Sequence, residues 1–529
     1  AKVKEKQDRV LSKLITKKTK KLGITGITET EPEFVLKRRY SVINAFSGEI
    51  TQDGLMKLEQ DPDVEAVYLV PVLHVSLTET VPLIQADHIW SYQVNGINIT
   101  GSGQTICIVD TGIDIDHSAF GNRIVAEHCY CSVSDNGNGG CCDDLTNESN
   151  SGDDDNSHGT HCAGIAAANG TVKGVAPGAN LIAMKVCNAS GACDGADMIA
   201  GMDWCIANSS IYNISVISMS LGDYNPHPPG SCPTWMDSSI NDAYEAGILF
   251  VAASGNSGST AGIDYPACSE NATGVGSVND DDTISGFSNI HPDLLKLLAP
   301  GENVYSTIPP NSYGTKSGTS MATPHVAGAA ALIYQYADLK GLNLDVDDVV
   351  NLLYEHGVPV DQYRRIDLIG TFLYLVHNIS VNFTENSLLK ENVGMIKFSN
   401  QTDFGEILDC INISYNHIEI NTTKCQEYNK SARITIYNLN FSDVVVLKDG
   451  QPCPSNVCYN KSYDASSGTL VFDVTEFSVY SAAESDNPPV VDLIEPVNGF
   501  NTSSTTIEFR CNVTDSIALE NVSLYTNIS

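Results

Sequence analysis

Between residues 101 and 370 the chain alternates short, continuously apolar runs with longer stretches of helical periodicity. The runs fall at 105–109, 181–186, 216–219, 248–252 and 295–298, and the helical stretches at 196–207, 238–246 and 323–336. Strands apolar on both faces belong inside a sheet, and intervening helices cover its two sides. The pattern therefore predicts an α/β domain with a mostly parallel sheet flanked by helices. In such sheets, sites gather where the strands end. The flanks read differently. Residues 1–76 predict a small α+β unit, with a charged helix over 8–21, a strand over 34–43, a helix over 52–59 and a strand over 64–75. Beyond 376 the helical period disappears, and β-type runs at 432–437, 444–447, 469–474 and 477–482 predict an all-β sandwich module. Four segments result: 1–76, 77–376, 377–484 and 485–529. The last opens a further Ig-like β module at 490–494, behind a linker at 486–489.

Composition narrows the class. A chain of 529 residues exceeds one ordinary domain. It contains no run of eighteen apolar residues, so nothing in it predicts a membrane span. The net charge of −35 is uneven, with a balance of +2 over residues 1–76 and −37 over the rest. So acidic a body is a poor partner for nucleic acid or anionic lipid, and it attracts a weakly basic segment. Sixteen cysteines include the closely spaced Cys129/Cys131, Cys141/Cys142, Cys187/Cys193 and Cys453/Cys458, without a zinc-ribbon spacing, which predicts disulfides. About nineteen Asn-x-Ser/Thr sequons, among them Asn98, Asn213, Asn412, Asn460 and Asn512, point to the same secretory route. An extracellular or cell-surface glycoprotein is expected. The start at Ala1 and the end at Ser529 inside a β pattern predict a piece of a longer chain.

Three stretches carry candidate chemistry. Ile106-Cys107-Ile108-Val109-Asp110-Thr111-Gly112 reads as a buried strand ending in a carboxylate and a tight turn. His158-Gly159-Thr160-His161-Cys162-Ala163-Gly164 sets a histidine at the start of an Ala-rich helix. Gly318-Thr319-Ser320-Met321-Ala322-Thr323-Pro324-His325-Val326-Ala327-Gly328 places a serine at the start of a long apolar helix. Alone, Ser320 is best explained as a helix cap, since Ser and Thr favour that position. His158 with His161 has the spacing of a metal pair but lacks the nearby glutamate of zinc hydrolases. Asp155 and its neighbours read as a solvated acidic loop. Together, an aspartate, a histidine and a serine supply what a hydroxyl nucleophile needs: a base, and a carboxylate to orient it.

These stretches, in this order, resemble the subtilisin-like serine proteases (subtilases) over residues 83–370. The resemblance implies that Asp110, His158 and Ser320 form the catalytic triad. It also implies that Asn256, in Ala253-Ser254-Gly255-Asn256, is the side-chain oxyanion donor beside the Ser320 N–H. Ser218-Met219-Ser220-Leu221-Gly222 is similar to the segment that pairs with an extended peptide. Ser220, Leu221, Gly222, Ala253, Ser254 and Gly255 then wall the pocket for the residue before the scissile bond, with Asp264 near its floor. A carboxylate there favours Lys or Arg. Against this, residues 58–122 contain neither, so self-cleavage near 74–80 uses a non-basic residue and broad specificity is expected.

Residues 34–76 resemble the inhibitor-type propeptide of subtilases without its first strand. This implies an autoprocessed zymogen whose own propeptide is its chaperone and inhibitor, with polypeptides as the other partners. The chemistry needs no cofactor. The chain lacks the Asn-rich insertion of the strong calcium site after His161; a structural calcium is compatible with the Asp-rich loop 143–155, unassigned to residues. Cys162 is expected to remain a buried thiol. The rival class is a surface adhesion or matrix protein carrying an inactive protease fold, and a narrow processing protease is a second alternative.

Overall fold

The computed structural model describes residues 2–14, 18–21, 28–31, 34–39, 45–67, 80–133, 139–485, 490–495 and 510–514. The chain divides into two compact units, Ala1–His74 and Val75–Ser529. In the first, a helix over Lys2–Leu14 and a helix over Gln52–Glu59 accompany an antiparallel pair, Phe34–Arg39 with Phe46–Ile50. Val10, Leu11 and Leu14 recur on one helical face and bury against Phe34 and Leu58, which closes a small core. Thr51 caps the second helix by accepting from Gly54 N at 3.2 Å. The helix expected over 8–21 starts and stops earlier, and Lys18–Lys21 pairs as a strand instead. Residues 64–67, the described part of the strand expected over 64–75, form no strand; the rest of it lies outside the described residues, as do the linker at 486–489 and most of the 74–80 junction.

The second unit is built on a ten-stranded sheet. Its strands are β1 (Thr105–Asp110), β2 (Ile124–Tyr130), β3 (Glu148–Ser149), β4 (Asn180–Lys185), β5 (Ile214–Met219), β6 (Leu249–Ala253), β7 (Thr273–Val278) and β8 (Leu297–Pro300). A separate hairpin, β9 (Val304–Ile308) with β10 (Ser312–Lys316), precedes β11 (Val358–Val360) and β12 (Tyr363–Arg365). The order is β11-β12-β8-β7-β6-β5-β1-β4-β2-β3. The inner strands are parallel, and antiparallel pairs close both edges. Side chains alternate across β1, so Ile106 and Ile108 enter one core while Cys107 and Val109 enter the other. That is why the run is apolar at every position.

Helices α1 (His158–Ala167), α2 (Gly195–Ala207), α3 (Asp237–Glu245), α4 (Thr319–Lys340), α5 (Val346–Glu355) and α6 (Leu368–His377) flank the sheet. Helix α4 is buried along its first nineteen residues, as an apolar sequence without a polar face requires. The chain leaves β1 toward β4 on one side, and β5 lies on the other. This reversal of strand order opens a crevice at the carboxyl ends.

A β-sandwich follows, with a six-stranded sheet from Ser380–Asn382 to Thr469–Val474 packed on a five-stranded sheet from Ile411–Ser414 to Val479–Glu484. It is not set apart by a linker. One continuous core runs from Leu368 and Phe372 of α6 into Ile379, Leu388, Phe398 and Ile407. His377 Nε2 meets Leu408 O at 2.8 Å, and His88 Nδ1 meets Glu406 Oε1 at 3.0 Å. Among the described residues, seven disulfides join Cys107–Cys205, Cys129–Cys142, Cys131–Cys141, Cys187–Cys193, Cys232–Cys268, Cys410–Cys425 and Cys453–Cys458. Among the described residues, no helix is long and apolar enough to cross a membrane.

Candidate active site

Asp110 ends β1 at the crevice and is fully buried. Its Oδ1 accepts from Thr111 N at 2.8 Å and lies 2.7 Å from His158 Nδ1. Its Oδ2 has no partner among the described residues. The close approach depends on Gly159, where an added methyl group would come within 2.1 Å of Gly112 O. His158 opens α1 after Ser157, whose left-handed φ of 94° turns the chain into the helix. About a quarter of the His158 side chain is exposed. Burial alone lowers its pKa, but the Asp110 charge and hydrogen bond outweigh that and hold it well above 6.5. A carboxylate on Nδ1 fixes the proton there and leaves Nε2 as the basic nitrogen.

Two residues outside the expected set hold this pair. Asp154 is buried and accepts from Thr111 Oγ1 at 2.8 Å, from Asn156 N at 2.9 Å, and from Ser157 N and Thr160 N at 3.0 Å. It fastens the start of α1 to the turn after Asp110, so the expectation of a solvated acidic loop is wrong at this position. Lys185, fully buried at the end of β4, donates to Thr111 O at 3.0 Å and pairs with Asp155 at 2.6 Å. The sequence signal was available: a lysine closing an apolar run needs a carboxylate partner.

Ser320 is not the cap of its helix. Gly318 occupies that position with φ 152°, and Ser320 is the second helical residue. Thr319 N donates to Asn256 Oδ1 at 2.8 Å and Met321 N to Gly318 O at 2.9 Å. Ser320 N is thus left without a partner among the described residues, at the positive end of a helix. Asn256 Oδ1 also accepts from Thr319 Oγ1 at 3.1 Å, which commits that face of the amide and frees Nδ2. Ser320 N and Asn256 Nδ2 are two unspent donors beside one hydroxyl, as a developing oxyanion requires.

The serine carbonyl is held by an unusual route. Pro324 lacks the N–H that would bond four residues back, to Ser320 O. Ser220 Oγ takes that acceptor at 2.9 Å, and Cys162 Sγ donates to it at 3.4 Å. Ser320 Oγ in turn donates to Ser220 O at 3.0 Å rather than to His158. Catalytic hydrogen bonds are often loose until substrate arrives. Cys162 spans the gap, with its Sγ 3.9 Å from His158 Nδ1. It is a free, buried thiol whose pKa burial raises, as expected from the sequence.

Ser220, Leu221 and Gly222 follow the end of β5, and Ala253, Ser254 and Gly255 end and follow β6. Gly255 N donates to Thr319 Oγ1 at 3.1 Å, so both walls are tied to the start of α4. Ser218 does not belong with them. It is paired to Val251 on one side and Ile108 on the other, so its backbone has no free edge for a peptide. Asp264 is buried beside this slot, with its N bonded to Ser254 O at 2.8 Å.

The His158/His161 spacing, set aside above as a metal pair, serves other contacts. His161 turns its Nε2 to Gly314 O at 3.1 Å, and burial pushes it down to about 3. In the Asp-rich loop, Asp154 is consumed as above, Asp155 pairs with Lys185, Asp143 and Asp144 accept from Ser151 and Thr146, and Asp153 accepts from Ile115 N at 3.3 Å. The grouping of Asp110, His158 and Cys162 is explained by the hydrogen bond its first two members share.

Carboxylate, imidazole and hydroxyl at the ends of separate elements, facing two backbone and amide donors, define a serine hydrolase. Comparison with known proteins refines this. The subtilase family model matches residues 101–353. Subtilisin NAT of Bacillus subtilis subsp. natto is 35% identical over 304 residues, covering 56% of this chain and 72% of that protein. Serine protease AprX of Bacillus subtilis (strain 168) is 34% identical over 376 residues, covering 62% and 77%. Subtilisin DY of Bacillus licheniformis is 39% identical over 259 residues, covering 48% and 82%. The chain belongs to the subtilase family and is a serine endopeptidase.

Proposed function

We propose that this endopeptidase is secreted and made as a zymogen that processes itself. In the reaction, Ser320 Oγ attacks the peptide carbonyl and passes its proton to His158 Nε2. Asp110 holds the imidazole by Nδ1, and Ser320 N with Asn256 Nδ2 receives the oxyanion. His158 then protonates the leaving amine, and water repeats the sequence on the acyl-enzyme. The observation that carries this reading is the 2.7 Å contact between His158 Nδ1 and Asp110 Oδ1, set beside a helix start with an unspent Ser320 N.

Extracellular location is supported by seven disulfides and by the dense sequons. The zymogen reading is supported by the separate folding of residues 1–74 and by their charge balance against the acidic remainder. Its test is expression of the full chain beside Ser320→Ala. The native chain is expected to release an N-terminal fragment ending near residues 74–80, at a rate independent of protein concentration. Cleavage in both chains, or in neither, contradicts self-processing.

A further inference from the structure

The β-sandwich has four edge strands: Ser380–Asn382 and Cys458–Asp464 in one sheet, Ile411–Ser414 and Gln451–Pro452 in the other. An edge presents a row of unpaired backbone groups and invites a strand from a second copy of the chain. Gln451–Pro452 is two residues long and ends in a proline, which closes it to pairing. Each of the other three carries an asparagine that opens an Asn-x-Ser/Thr sequon: Asn382 with Thr384, Asn412 with Ser414, and Asn460 with Ser462. The seven inner strands contain no asparagine at all.

Sequons belong to surface loops, so a place within strands needs a physical reason. All three asparagines are exposed, and so are Thr384, Ser414 and Ser462. Ile411 and Ile413 enter the core, which turns Asn412 between them outward. Val381 packs against the same core, and Asn382 follows it on the other face. Asn460 sits where its strand slips in register against Thr469–Val474, with φ 53°, and its Nδ2 donates to Asp473 Oδ2 at 2.8 Å. An amide nitrogen carries two hydrogens, so one can stay in that bond while the other is replaced. Asn188 shows the opposite case. It is 4% exposed, and its Oδ1 accepts from Ser190 N at 3.1 Å, Ser190 Oγ at 2.8 Å and Ala192 N at 2.9 Å. The same motif there shapes the loop closed by Cys187–Cys193.

Resting on the secreted reading above, we propose that Asn382, Asn412 and Asn460 carry N-linked oligosaccharides, and that these sugars close the three open edges of the sandwich. The co-reactant is an oligosaccharide held on a lipid diphosphate. The asparagine Nδ2 forms a C–N bond to the anomeric carbon as the C–O bond to diphosphate breaks. The amide gives up one proton, and the lipid diphosphate leaves. A pairing strand would have to run about 4.8 Å from the edge, with side chains directly opposite these asparagines. A branched, hydrated sugar fills that lane. The edge that ends in Pro452 needs none.

The test begins with glycopeptide mass mapping of the full chain expressed in its own host. Oligosaccharide is expected on Asn382, Asn412 and Asn460, and none on Asn188. The combined variant Thr384→Ala, Ser414→Ala, Ser462→Ala then removes three sequons and keeps every asparagine. Its light scattering at matched concentration is expected to rise by about tenfold or more as edges pair. A control, Thr423→Ala, Ser431→Ala, Ser442→Ala, removes the loop sequons of Asn421, Asn429 and Asn440 and is expected to stay dispersed. Bare Asn382, Asn412 and Asn460 beside occupied loop sequons overturn the proposal and leave secretion standing. So does scattering that rises equally in both variants, or in neither. No sugar at any sequon, with the cysteines reduced, overturns both.

Discussion

His158 Nδ1 lies 2.7 Å from a buried carboxylate oxygen of Asp110, and this contact sets the basicity of the opposite nitrogen. Burial works to lower the His158 pKa, and Asp110 raises it by more, so the imidazolium persists above pH 6.5. Only the neutral ring accepts the serine proton. The acid limb of kcat/KM is therefore expected to have its midpoint above 6.5, with activity rising into the alkaline range. In Asp110→Asn the raising influence is gone, so the midpoint moves down while kcat falls by about ten-thousandfold. A pH–rate profile of both proteins checks the two signs together.

Asn256 spends Oδ1 on Thr319 and keeps Nδ2 for the reaction. Asn256→Ala is expected to lower kcat by about a hundred- to a thousandfold, with KM nearly unchanged, because the donor acts on the oxyanion rather than on the bound peptide. Steady-state kinetics on one peptide separates the two parameters. A rise in KM with kcat preserved points to a binding role instead.

Cys162 is enclosed between His158 and the Ser320 carbonyl. Its pKa is raised by burial, so the thiol form prevails and is a poor nucleophile. Alkylation followed by peptide mapping is expected to leave Cys162 unmodified in native protein and to label it after unfolding. Fast labelling in the native state contradicts the enclosed position.

Much of the sheet was legible from its strands. Runs placed at 105–109 and 248–252 fall within one residue of β1 and β6, because only an interior strand is apolar on both faces. Asp110, His158, Ser320 and Asn256 were legible as motifs at strand and helix ends. Other features are products of tertiary packing. Ser218 looks like a substrate edge in sequence, and only the order of strands shows it paired on both sides. Asp154 sits in an acidic run whose composition suggests solvent, yet it alone gathers the donors of two turns. Pro324 was in plain view, but the orphaned Ser320 carbonyl it leaves finds Ser220 and Cys162 only through the fold.

The core shared by α6 and the β-sandwich has a thermodynamic consequence. Phe372 and Leu373 are fully buried within it, together with Ile379, Leu388 and Ile407. A processed chain ending at 485 is expected to melt in one calorimetric transition. Ending the chain at 377 strips cover from this apolar face and is expected to lower Tm by about 10 °C or more. Two resolved transitions in the longer chain contradict a common core.

The most direct test of the account is where a serine-directed phosphonofluoridate attaches. The oxygen of the activated serine displaces fluoride at phosphorus, and an ordinary surface serine does not. After incubation at pH 8 and digestion, the adduct is expected on the peptide containing Ser320 alone. It is expected to be absent from His158→Ala, which lacks the base, and from unfolded protein. A modified enzyme that keeps its activity, or an adduct on another residue with Ser320 untouched, contradicts the assignment of Ser320 as the nucleophile.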